Sequence, residues 1–163
     1  MSRLRPWYAI KRWMYRGNRP RGWARAVNAV YGWAFAGRWL RYRPAATLEV
    51  VGRRSGAAIT LPVAIADVGA ERFLVSMLGE SSWVLNVRAA DGRAVILQRG
   101  QRVPVRLHEI DVADRPPVLR RYLELAPGAR PHVPVPWRAP VAEFAGIAAN
   151  FPVFRIEPES ADK

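Results

Sequence analysis

The chain has 163 residues, half of them apolar, which suits one globular domain with a sizeable core. It contains no cysteine, so disulfides, cysteine nucleophiles, thiolate zinc sites and iron–sulfur centres are excluded. Lys and Arg number 26 against 13 Asp and Glu, and the net charge of +13 favours anionic partners. The two histidines, His108 and His132, lie far apart in sequence, so we expect no metal site.

Residues 1–44 form a basic, tryptophan-rich extension that we predict to be two helices. The segment holds eleven basic residues and five of the seven tryptophans. Trp7, Ile10 and Met14 recur at helical spacing, and "GNRPRG" at residues 17–22 breaks that helix. A second helix fits residues 23–40, where the apolar stretch is too short and too mixed to span a membrane.

Three interpretations of this extension stay open. Tryptophan and arginine at helical spacing suit the surface of an anionic membrane, and the helices could equally pack on the domain that follows. Nonspecific nucleic-acid binding ranks third, because the chain has no recognised DNA- or RNA-binding motif. The lack of cysteine fits a cytoplasmic location, with peripheral contact at the inner membrane face under the first interpretation.

Residues 45–158 change to strand-like patterning, which predicts a mainly β (α+β) domain followed by a tail at residues 159–163. "TLEVVG" and "AAITLPVAIA" predict a hairpin, in which Pro62 marks an edge or a bulge. "ERFLVSM" predicts a third strand, "RAVILQR" and "RVPVRLHEI" a second hairpin, and "PVFRIEP" a closing strand. We expect short helices in "SSWVLNVRAA", "DVADRPPVLRRYLELA" and "PVAEFAGIAANF", and a loop in "PGARPHVPVPWRAP". Six strands with few helices indicate a small barrel or an α+β sheet.

The tip of the first hairpin is "GRRSG", residues 52–56. Its glycines permit positive φ and let backbone N–H groups converge on an anion, while Arg53 and Arg54 add forked donors and Ser55 a hydroxyl. The plain alternative is a solvated basic turn, which this stretch alone favours. No G-K-[ST] follows at the spacing of a phosphate-binding loop.

The stretch "SMLGESSWVLN", residues 76–86, joins a strand to the start of a helix. A helix N-terminus favours anions, and Trp83 could stack on a flat ring that Asn86 hydrogen-bonds. The alternative is an ordinary strand–helix connection with Trp83 in the core. The second glycine of a nucleophile elbow is missing, which argues against a serine hydrolase.

Taken in order, "VVGRRSGAAITLPV", "RFLVSMLG", "SWVLNVRAA", "AVILQRGQRVPVRLHEI" and "FPVFRIEP" resemble the deazaflavin-dependent nitroreductase family over roughly residues 45–158. The resemblance implies a six-stranded split β-barrel of the FMN-binding split-barrel type. It also implies an oxidoreductase that transfers a hydride from reduced coenzyme F-420 to a quinone-like or nitro acceptor. The alternatives are a barrel that binds FMN and a noncatalytic barrel protein at the membrane surface. No specific nucleic-acid partner is expected, and the oligomeric state stays open.

The resemblance also implies cofactor-binding residues but no particular catalytic residue. Arg53, Arg54 and Ser55 would hold the phosphate or the glutamyl tail, and Thr60, Leu61 and Pro62 would approach the deazaflavin ring. Met77, Leu78 and Gly79 would line the loop beside the ring. Trp83 and Asn86 would complete the pocket. The chain departs from the family at three points, one of which is "AADG" at residues 89–92, where members often carry Asn-Pro. Ile59 stands where members carry an arginine, and Tyr122 is the only tyrosine in a region where they carry several.

Overall fold

The computed structural model describes residues 44–159, in which six strands form a closed antiparallel barrel in the order β1-β2-β3-β6-β5-β4. The strands are β1 (Ala45–Val51), β2 (Ala58–Val68), β3 (Glu71–Val75), β4 (Arg93–Gln98), β5 (Gln101–Glu109) and β6 (Val153–Pro158). Two α-helices accompany them, α1 (Ser82–Ala89) and α2 (Arg115–Leu125). The predicted six-stranded barrel class is therefore confirmed. The predicted N-terminal helices lie in residues 1–43, outside the described range.

Strand alternation determines which side chains fill the barrel. On β1, Leu48 and Val50 are buried in the barrel interior, whereas Glu49 between them points outward and pairs with Arg102 at 2.6 Å. The interior cluster continues through β3 to β6, where Leu74 and Phe154 are almost fully buried. Side chains of one face of every strand therefore meet in a single apolar core.

A second apolar core lies outside the barrel, between the sheet and α2. Ala64 and Ala66 present a small-residue surface on β2, and Leu119, Tyr122 and Leu123 of the helix pack in the same cluster. Small side chains on the strand let the helix approach closely, and burial of this face stabilises the α2 docking. This arrangement covers one outer face of β2 only from about residue 64 onward.

Three predicted elements differ from the structure. "PVAEFAGIAANF" forms two short 3-10 turns, Val141–Phe144 and Ala148–Asn150, rather than one helix. Each turn buries one of its own apolar side chains, Phe144 in the first and Ala148 in the second, so no continuous apolar helix face is formed. The predicted loop contains a 3-10 helix at Pro127–His132. Strand β3 ends at Val75, two residues earlier than predicted. The Ser76 N–H still donates to the Pro152 carbonyl at 2.9 Å in the β3–β6 register, but Pro152 has no N–H with which to return the bond.

The antiparallel strand directions give the barrel two distinct ends. The upper end carries the β1–β2 connection, residues 52–57, and the turn after β3, residues 76–79. The lower end carries the β2–β3 turn at residues 69–70 and the β4–β5 turn at residues 99–100. The predicted cofactor-binding residues are grouped toward the upper end.

Candidate cofactor site

The "GRRSG" tip is a closed loop that presents two arginines to solvent. Gly52 N–H donates to the Ala57 carbonyl and Gly56 N–H to the Gly52 carbonyl, both at 2.8 Å. A Cβ on Gly52 would lie 2.6 Å from Ser55 Oγ, which would have to move, and Gly56 has φ +67°, a conformation that favours glycine. Arg53 and Arg54 are exposed. The tip therefore holds two cations on a backbone of defined shape.

Asn86 on α1 fastens this tip to the body of the barrel. Its side-chain Oδ1 accepts the Arg53 backbone N–H at 3.2 Å and the Arg53 guanidinium Nη1 at 2.8 Å. Asn86 is 3% exposed, so the acceptor is fixed by its surroundings while the arginine reaches it from the surface. The two residues that sequence reasoning assigned to separate parts of the site are thus directly bonded. One guanidinium nitrogen is used, and the remaining donors of Arg53 face outward.

Helix α1 is itself anchored at its C-terminal end by a network of ion pairs. Arg88 donates to both oxygens of Glu109, from Nε at 2.8 Å and from Nη2 at 2.9 Å. The buried Arg115 adds a third bond to Glu109 at 3.2 Å. The hydrogen bond from Arg88 lowers the pKa of Glu109 against the opposing effect of burial. No sequence signal indicated this network, because Arg88 lies 21 positions from Glu109 and the buried position of Arg115 depends on the packing of α2.

Within residues 44–159, the outer backbone edge of the first half of β2, beside the tip, pairs with no strand. Backbone hydrogen bonds join Gly52 to Ala57 at one end of the β1–β2 hairpin and Pro44 to Ile65 at the other. Antiparallel pairs alternate, so the backbone groups of Thr60 and Pro62 point away from β1. Along this edge of β2, strand β3 pairs with residues 65–68 and stops there, and no other described strand pairs with the edge.

Pro62 therefore lies where its missing N–H costs no ladder hydrogen bond, which confirms the prediction that it marks an edge. The alternation also separates the three β2 residues assigned to the ring. Thr60 and Pro62 are exposed on the outer face, whereas Leu61 packs against the barrel-interior cluster. A ligand at the free edge would meet the backbone of Thr60 first.

The turn after β3, residues 76–79, lies at the same end of the barrel; together with the tip and the outer edge of β2 it makes up the surface that we call the upper-end crevice. Ser76 is 2% exposed; its Oγ lies 2.6 Å from the Gly79 carbonyl, to which it donates, and 3.0 Å from Ser81 Oγ. Gly79 has φ +77°, a conformation that favours glycine. Met77 packs on the outer core, while Leu78 is 38% exposed. Sequence reasoning did not identify Ser76, whose only signal was a serine at the end of an apolar strand.

Trp83 belongs mainly to the core. Its ring centroid lies 5.5 Å from that of Phe154 at an interplanar angle of 53°, and the half-buried side chain packs against the barrel-interior cluster. This geometry supports the plainer of the two sequence interpretations for Trp83. The predicted set thus comprises one bonded pair, a free strand edge, a rigid turn and a packed tryptophan, all toward the upper end of the barrel.

The crevice and tip suit an anionic, flat ligand. The exposed cations of Arg53 and Arg54 match phosphate or carboxylate groups, and the unpaired Thr60 backbone offers a donor and an acceptor to a heterocycle. Within residues 44–159, no three potential metal ligands converge. Nor does that range contain a helix long and apolar enough to cross a membrane. The exposed guanidinium groups of Arg53 and Arg54 fit an organic anion.

Comparison with known proteins agrees with this picture. The family model described as F420H(2)-dependent quinone reductase matches residues 23–130. A solved protein of unknown function from Agrobacterium tumefaciens is 18% identical with a TM-score of 0.51, covering 74% of this chain and 51% of that one. A putative 5-nitroimidazole antibiotic resistance protein from Bacteroides thetaiotaomicron is 11% identical with a TM-score of 0.51, covering 78% and 80%. These likenesses show the fold. A search of curated proteins by sequence finds no match.

Proposed function

The chain belongs to the F420H(2)-dependent quinone reductase family, and on that premise we propose that the upper-end crevice binds coenzyme F-420 beside a quinone acceptor. The family assignment makes the protein a deazaflavin-dependent oxidoreductase with a quinone-type acceptor. When bound, the reduced deazaflavin supplies the hydride that reduces the acceptor. The main support for this location is the Arg53–Asn86 bond, which holds an exposed cation at a fixed position beside the outer edge of β2.

Each part of the crevice has its own task in this proposal. Arg53 and Arg54 hold the phosphate or the glutamyl carboxylates through charge-assisted hydrogen bonds. Ser55 stabilises the loop, because its Oγ accepts the Ala57 N–H at 3.3 Å. The Thr60 backbone hydrogen-bonds the edge of the ring.

The turn at residues 77–79 borders the ring from the opposite side. Its shape is set by Ser76, whose hydroxyl bonds hold the turn closed. Leu78 is exposed there and offers an apolar surface to a quinone. The chain thus binds and orients both reactants, and the chemistry needs no nucleophile from the protein.

A calorimetric titration separates the anion clamp from the ring contacts. The wild-type chain should bind oxidised coenzyme F-420 more tightly than the deazaflavin alcohol that lacks the phosphate and glutamyl tail. Replacing Arg53→Gln and Arg54→Gln together should remove most of that difference, weakening F-420 binding by about tenfold to a hundredfold. The exposed Arg120→Gln on α2 is the matched control and should change neither affinity.

Three outcomes would count against the proposal. Equal affinity of the wild type for the tailed and tail-less deazaflavins would mean that the tip is a solvated turn and binds no anion. An unchanged affinity in the double variant would do the same. Binding of FMN in place of coenzyme F-420 would retain the barrel and replace the cofactor.

We also propose that residues 1–44 make peripheral contact with anionic membrane, as their eleven basic residues and five tryptophans suggest. The segment lies almost wholly outside the described residues, so the support is compositional. Flotation with vesicles containing anionic lipid should recover the full chain and lose it at high salt. Recovery that is equal with neutral vesicles, or absent with anionic ones, would contradict the proposal.

A further inference from the structure

The lower end of the barrel holds a cavity of about 510 Å³ that the cofactor site does not use. Its inner wall is apolar and comes from three neighbouring strands, with Ile96 on β4, Val105 on β5 and Ile156 on β6. These side chains also belong to the barrel-interior cluster, so the cavity opens onto the core. Val103 lines the same cavity and is 38% exposed, so its apolar side chain is open to a ligand there.

A polar bridge crosses the mouth of this cavity. Arg72 on β3 donates from Nη2 to Gln98 Oε1 at 2.7 Å, and Gln98 Nε2 donates to the Ala45 carbonyl at 3.1 Å. Strands β3 and β4 are not neighbours in the barrel order, so the bridge spans the opening. The apolar wall is therefore reached past a polar rim, as in sites that take amphipathic small molecules.

The rim carries an uncompensated positive charge. Its two carboxylates, Glu71 and Glu157, both pair with Arg155, at 3.5 and 2.9 Å. Within residues 44–159, Arg72 bonds only the neutral amide of Gln98, and Arg99 forms no hydrogen bond or ion pair. Arg99 is exposed on the β4–β5 turn and lines the cavity. Two cations thus face the mouth without a carboxylate partner.

We propose that this cavity binds a monoanion with an apolar body, of the class of a medium-chain carboxylate. The carboxylate lies between Arg72 and Arg99, and the chain lies against Ile96, Val103 and Ile156. The volume falls within the range of about 300–1,000 Å³ that small-molecule sites occupy. Inorganic phosphate would leave the apolar wall uncovered, and a cation would meet the wrong charge. The site is independent of the cofactor crevice, which lies at the opposite end of the barrel.

The test titrates the full-length protein with octanoate and with 1-octanol by calorimetry. Octanoate should bind saturably with a submillimolar dissociation constant, and the uncharged alcohol at least about tenfold more weakly. Arg72→Gln combined with Arg99→Gln should weaken octanoate binding by about tenfold and leave octanol binding unchanged. Arg120→Gln, a distant exposed arginine on α2, is the control and should match the wild type.

Val103→Trp should fill the cavity and abolish binding of both ligands. Circular dichroism shows whether that variant folds, and the arginine variants decide the matter if it does not. No saturable binding of octanoate to the wild type would overturn the proposal. Equal affinity for octanoate and octanol would overturn it too, as would octanoate binding that survives the double arginine substitution.

Discussion

The Arg53–Asn86 bond gives a prediction that separates a structural role for Asn86 from a positioning role. Asn86→Ala removes one acceptor and two hydrogen bonds, which should lower the free energy of unfolding by about 1–3 kcal/mol. Arg53 then samples several rotamers, and ordering it again on binding should weaken coenzyme F-420 by about threefold to tenfold. Urea unfolding and calorimetric titration measure the two effects on the same preparation.

Asn86→Asp is the decisive companion variant. A carboxylate at this position still accepts both donors of Arg53, so most of the stability should return. It also neutralises the arginine and places a negative charge beside the bound anions, so the affinity for coenzyme F-420 should fall by more than in Asn86→Ala. An aspartate variant that regains both stability and affinity would show that Asn86 only supports the fold. Wild-type affinity in the alanine variant would refute the positioning role altogether.

Three further predictions concern the surroundings of the site. Because Arg88 depresses the pKa of Glu109, this carboxylate stabilises the fold above its unfolded pKa and loses that contribution as pH falls through the folded value. Glu109→Gln should lower the free energy of unfolding by about 1–3 kcal/mol at neutral pH and flatten its fall toward acid pH in urea unfolding. Wild-type and variant stabilities that change in parallel with pH would contradict this. Burial raises the pKa of Tyr122 to about 12, and its hydroxyl bonds no residue within 44–159. Tyr122→Phe should therefore change stability by under about 0.5 kcal/mol and leave quinone reduction intact, whereas a large fall in rate would make Tyr122 a proton donor. Ile59 is 43% exposed near Gly52, and Ile59→Arg should strengthen the binding of coenzyme F-420 by about threefold to tenfold. An equal gain in affinity for the tail-less deazaflavin would contradict an added contact with the anionic tail.

Local chemistry made much of the barrel predictable. Alternating apolar residues gave all six strands, and the closely spaced glycines of "GRRSG" gave the first hairpin its tip. Pro62 indicated an edge because it lacks an N–H, and the free backbone beside Thr60 bears this out. Each of these signals depends on a residue and its near neighbours, which is the range that a single sequence reveals.

Long-range contacts account for what the sequence did not reveal. Arg53 and Asn86 are 33 positions apart, so no spacing rule could join them, although both were expected near the cofactor. Strand β3 ends where Ser76 faces Pro152, which has no N–H for the ladder, and only the closed barrel brings these two residues together. The split of "PVAEFAGIAANF" into two turns likewise follows from tertiary burial that overrides helical propensity.

In the proposed site, the tip binds the anionic tail of the cofactor, and the deazaflavin ring transfers the hydride. Kinetics can distinguish the two tasks, because a group that binds only the tail stabilises ground and transition states alike. Loss of such a group raises KM and leaves kcat nearly unchanged.

The most direct test is therefore the steady-state oxidation of reduced coenzyme F-420 by menadione, with reduced FMN as the competing donor. The account predicts turnover that requires the deazaflavin. In Arg53→Gln combined with Arg54→Gln, the KM for the cofactor should rise about tenfold or more at a similar kcat. Failure of the wild type to oxidise reduced coenzyme F-420, or a double variant with unchanged KM, would contradict the assignment of this crevice as the cofactor site.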